Sequence, residues 1–74
     1  MITPRLTMHA AERMAERGIT EEDLLAALAH RAGRARPASL GKIWIFGYAQ
    51  RGRILKVLLT ADETVVITAA WPDD

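Results

Sequence analysis

The spacing of hydrophobic and polar positions changes once along the chain and divides it into two halves. From Thr7 to Gly18, TMHAAERMAERG follows the helical period: Met8, Ala10, Ala11, Met14 and Ala15 collect on one side, His9, Arg13 and Glu16 on the other, with Glu12 and Arg17 flanking. Thr7 stands where an N-cap hydroxyl accepts from a first-turn amide, and Gly18 is the stop. Thr20-Glu21-Glu22-Asp23 is a second start, a capping-box pattern with Asp in the place usually held by Glu or Gln. Leu24, Leu25, Ala27, Leu28 and Ala32 give the second helix its apolar side, His30 and Arg31 fall in its last turn, and Gly33 ends it.

Between Arg34 and Gly41 the helical period is lost, and this basic stretch reads as a connector with room for a short edge strand. The pattern then becomes that of strands at Lys42 to Ala49, Ile54 to Thr60 and Thr64 to Trp71. Gln50-Arg51-Gly52 suits a three-residue hairpin with Gly52 left-handed, and Asp62-Glu63 marks the next turn. The expected fold class is therefore α+β, in the order ααβββ: two N-terminal helices packed on an antiparallel sheet of three strands, or four if the connector adds one. With Ala49 opposite Arg53, Ile43 and Ile45 share a face with Leu55, Val57 and Leu59, and Trp44, Phe46 and Tyr48 share the other with Lys56 and Leu58. The aliphatic set is the expected helix-facing side, although pattern alone also permits the aromatic set as core. If the aromatic face is open, it binds a partner or makes a homodimer.

A chain of 74 residues makes one domain, 1–74, with a helical half at 1–33, a connector at 34–41 and a β-meander at 42–71. The absence of cysteine removes disulfides and thiolate metal ligands and favours a reducing, cytoplasmic setting. No apolar run is long enough for a membrane span, and the first residues lack the apolar core of a signal peptide. The net charge of +1 conceals an asymmetry. From Leu24 to Ala61 there are seven basic residues, Arg31, Arg34, Arg36, Lys42, Arg51, Arg53 and Lys56, and no acidic one. Such a block suits an anionic partner, RNA first, with solvated loop charge as the plain alternative.

Candidate chemistry is narrow. The two histidines are far apart, no zinc-type spacing occurs, and the glycines are too scattered for a phosphate loop, so neither a metal nor a cofactor is expected. A metal-free set remains: His9 for proton transfer, Glu16 or Glu12 to orient it or act as base, and Arg13, Arg17 and Lys56 to stabilise phosphate charge.

 Trp44, Tyr48, Arg51, Arg53 and Thr68 are the residues that would hold the substrate. RNA supplies its own nucleophile in the 2′-hydroxyl, so such a set would suffice to cleave it. On the first helix, Glu12 with Glu16 and Arg13 with Arg17 are like-charge i,i+4 pairs, so the stripe is not laid out for helix stability; a merely solvated face is the alternative. His30 is expected to serve as a charge partner at the end of its helix rather than as a catalyst.

The run His9-Ala10-Ala11-Glu12-Arg13-Met14-Ala15-Glu16-Arg17-Gly18-Ile19, followed by Thr20 at a second helix and by strands Arg53-Ile54-Leu55-Lys56-Val57 and Val65-Val66-Ile67-Thr68, resembles the family called Domain of Unknown Function 4258. That family is similar to small toxin ribonucleases of the barnase, EndoU, colicin and RelE type. The resemblance implies helices on an antiparallel sheet, metal-independent RNA cleavage, an antitoxin or immunity partner, and roles for His9, Arg13 and Arg17, with Lys56 and Thr68 as further strand positions. A non-catalytic module that binds protein or nucleic acid, or dimerises through its sheet, is the competing expectation.

Overall fold

A computed structural model describes residues 4–72; the domain limits drawn at 1 and 74 lie outside the described residues. The order of elements is β1 (Arg5–Leu6), α1 (Met8–Glu16), α2 (Glu21–Ala29), β2 (Arg36–Pro37), β3 (Lys42–Tyr48), a 3-10 turn (Gln50–Gly52), β4 (Ile54–Thr60) and β5 (Val65–Ala70). The strands form one sheet in the order β1-β5-β4-β3-β2. The expected three- or four-stranded antiparallel sheet is thus corrected to a five-stranded mixed one. β3, β4 and β5 make the antiparallel meander, β2 adds antiparallel to β3, and β1 adds parallel to β5. Both added strands have two residues, too few for alternation to register in sequence. Backbone bonds fix β1: the Arg5 amide donates to the Thr64 carbonyl at 2.8 Å and the Thr7 amide to that of Val66 at 3.2 Å.

The helices start where their caps are. The Thr7 hydroxyl accepts from the Ala10 amide at 2.9 Å, and Thr20 and Asp23 complete a reciprocal capping box at 3.0 and 3.2 Å. α1 closes through Gly18 at φ 68°, with the Ile19 amide donating back to Met14. α2 ends at Ala29 rather than running on to Gly33. The chain leaves the helix there to pair with β3: the Tyr48 amide donates to the His30 carbonyl and the Ala32 amide to that of Phe46, both at 2.8 Å.

The register sets Ile45 opposite Val57, Gly47 opposite Leu55 and Ile43 opposite Leu59. Ile45, Leu55, Val57, Leu59, Val66 and Ala69 are buried with Leu24, Ala27, Ala10 and Met14 of the helices, so the aliphatic face is the one the helices cover. Of the apolar side expected for α1, only Ala10 and Met14 are buried; Met8, Ala11 and Ala15 are exposed. α1 packs chiefly on β5, so a narrow stripe suffices. α2 sits close on β3: a Cβ at Gly47 would lie 1.9 Å from the Ala27 carbonyl oxygen, so only glycine allows this approach.

Candidate nucleic-acid interface

Residues directly opposite in a sheet share a face, so the register assigns Arg36, Trp44, Leu58 and Thr68 to the side away from the helices, with Phe46, Lys56 and Ala70 in the next row and Tyr48 and Ile54 beyond. Trp44, Phe46, Lys56 and Leu58 are half-buried, whereas Tyr48 and Ile54 are exposed. Cations lie over the rings. Lys56 Nζ is 4.8 Å from the centroid of Trp44, and the Arg36 guanidinium carbon is 5.6 Å from that of Phe46. β2 to β5 carry no carboxylate. This face therefore combines aromatic area with positive charge.

The sheet continues into a second basic region at the β3–β4 turn. The Arg53 guanidinium carbon lies 4.2 Å from the Trp71 ring centroid. Trp71 is buried, and its indole N–H donates to the Arg17 carbonyl at 2.8 Å, fixing the end of α1 to the end of β5. Arg17 in turn donates from Nη1 to the Ala69 carbonyl at 2.9 Å and approaches the Thr68 hydroxyl at 3.5 Å. A cleft of about 370 Å³ lies beside this anchor, lined by Gly18, Thr20, Asp23, Gln50, Arg51, Arg53 and Trp71. An apolar hollow of about 410 Å³ adjoins it, lined by Phe46, Arg53, Ile54 and Pro72.

The residues singled out from sequence fall into separate groups. Arg17 meets Thr68, Lys56 meets Trp44, and Arg51 shares the cleft with Arg53. Arg13 is engaged by Glu16 at 2.7 Å, an exposed ion pair that holds the two side chains to each other. His9 is exposed near the start of α1, about 12 Å along the helix from Arg17 at 1.5 Å per residue. α1 and Lys56 lie on opposite sides of the sheet, so His9 and Lys56 do not converge. His30 caps the end of α2 and gives its carbonyl to Tyr48. Arg36 and Trp71 were outside the candidate set: Arg36 reaches the aromatic face only through the two-residue β2, and Trp71 shows its anchoring role only once α1 is docked.

Two carboxylates are shifted, both at the β4–β5 turn. Asp62 accepts from the hydroxyls of Thr60 and Thr64, which holds it below the usual carboxylate range. Glu63 is held down by hydrogen bonds from Arg31, whose own pKa is raised by the same contact. Among the described residues no group of three or more His, Asp or Glu side chains is placed to hold a metal ion. No helix among them is long and apolar enough to cross a membrane.

Comparison with curated proteins and with solved structures found no match. A family model described as Domain of unknown function (DUF4258) matches residues 6–71, from Leu6 in β1 to Trp71. The chain belongs to that family.

Proposed function

We propose that this domain binds single-stranded RNA on the sheet face that carries Trp44, Phe46, Tyr48, Arg36 and Lys56. The observation that carries the reading is the pairing of cations with rings on a face without carboxylates. Single-stranded bases stack on aromatic side chains, while Lys and Arg neutralise the phosphates between them. A protein partner would need acidic groups to match this face; RNA brings its own. The test is fluorescence anisotropy with a labelled single-stranded RNA in chelator. Trp44→Ala is expected to weaken binding about tenfold, in line with roughly 1–3 kcal/mol for one stacked base, and affinity should fall with added salt. A stable dimer by solution mass that occludes this face and leaves RNA unbound would replace the reading with a homodimer.

Metal-independent cleavage of the bound RNA, as in a toxin ribonuclease with an antitoxin or immunity partner, is the second reading. It is supported by the exposure of His9 on a helix whose Arg17 reaches the strand residue Thr68. Binding is preferred because His9 stands apart from the face where Lys56 and the aromatics lie. Cleavage of tRNA or mRNA in chelator that disappears in a folded His9→Ala variant would promote the second reading. Intact RNA after prolonged incubation with wild type would remove it.

A further inference from the structure

We infer that the β3–β4 end of the domain receives a phosphorylated end of an RNA strand, with the terminal base in the apolar hollow and its phosphate in the neighbouring cleft. This rests on the RNA-binding reading above and assigns a place to one end of the strand. The hollow of about 410 Å³ is lined by Phe46, Ile54 and Pro72, and the cleft of about 370 Å³ by polar groups including Arg51; Arg53 borders both. Both volumes lie in the lower part of the range for small-ligand sites. An apolar hollow beside a cationic cleft matches the two parts of a nucleotide.

Arg51 supplies an independent reason. It stands at φ 70°, immediately before Gly52 at φ 75°. A residue with a Cβ is disfavoured there by about 1–2 kcal/mol relative to glycine, and among the described residues its side chain makes no hydrogen bond or ion pair that would offset this. The folded chain does not need this arginine, whereas an anion in the cleft does. An acidic turn on the wall of the cleft indicates a strand end rather than its middle. Asp23 lines the cleft, with Glu21 and Glu22 in the same helical turn. Both Asp23 oxygens already accept backbone N–H groups, from Thr20 and Gln50, each at 3.2 Å. A continuing polyanion would run into this acidic turn, but a terminal phosphate stops short of it.

The test compares one short single-stranded RNA sequence with hydroxyl ends, with a 5′-phosphate and with a 3′-phosphate, each titrated against wild type and Arg51→Gly. Glycine suits the backbone at this position, and thermal unfolding of Arg51→Gly at or above wild type verifies its fold; Arg51→Asn is the second charge-free variant. One phosphorylated end is expected to bind about tenfold tighter than the hydroxyl-ended strand, the equivalent of one charge-assisted contact. Arg51→Gly should abolish that advantage, so that the phosphorylated and hydroxyl-ended strands bind this variant alike. Equal affinity of all three strands would overturn the end site while leaving RNA binding in place. No binding of any strand would overturn both.

Discussion

Gly47 shows how much of this fold rests on a single missing side chain. Its Cα faces the Ala27 backbone so closely that a methyl group would overlap the carbonyl. Gly47→Ala is expected to destabilise the domain by on the order of 3 kcal/mol, seen as a lower urea midpoint. Ala27→Gly should not rescue it, because the clash is with the main chain rather than with the methyl. Titration is the other residue-scale test. Folding lowers the pKa values of Asp62 and Glu63, so their contribution is complete above the unfolded carboxylate range and is lost as pH falls through their folded values. The urea midpoint should decline from about pH 5 towards about pH 3, and Glu63→Gln should make that decline shallower. The effect is small, since the Arg31–Glu63 pair is partly exposed.

At the scale of elements, long periodic segments were legible and short ones were not. Thr7 and Thr20 announced both helix starts, and alternation in β3 and β4 separated Ile45, Val57 and Leu55 from Trp44, Phe46 and Lys56. β1 escaped because two residues carry no period and its partner, β5, lies at the other end of the sequence. α2 is shorter than its pattern predicts because the apolar Ala32, which fits the helical period, uses its amide to pair with Phe46. The candidate site was legible as a list of residues but not as a place. Sequence spacing put His9, Arg13 and Glu16 on one helix stripe, yet it could not say that the sheet would separate that stripe from Lys56. Thr20→Ala removes one half of the capping box and should cost about 1 kcal/mol in chemical unfolding. Because Asp23 also holds the Gln50 amide, the same change should raise hydrogen exchange at the β3–β4 turn.

For the whole molecule, the helices lie on one side of the sheet and the aromatic rows lie on the other. The buried side is aliphatic and accounts for cohesion. The opposite side presents rings, Arg36 and Lys56 without a carboxylate in strands β2 to β5. The α1 stripe and the sheet face are thus two surfaces, and a ligand that chooses between them decides what the domain does. Arg17 and Trp71 join the end of α1 to the end of β5, and Arg53 over the Trp71 ring brings the β3–β4 end beside both.

The most direct test is an amide NMR titration of the isotope-labelled protein with single-stranded RNA in chelator. The predicted result is progressive shifts at Trp44, Phe46, Lys56 and Leu58, with His9, Glu12 and Arg13 unmoved. Shifts confined to the α1 stripe, or none at saturating RNA, would contradict the account.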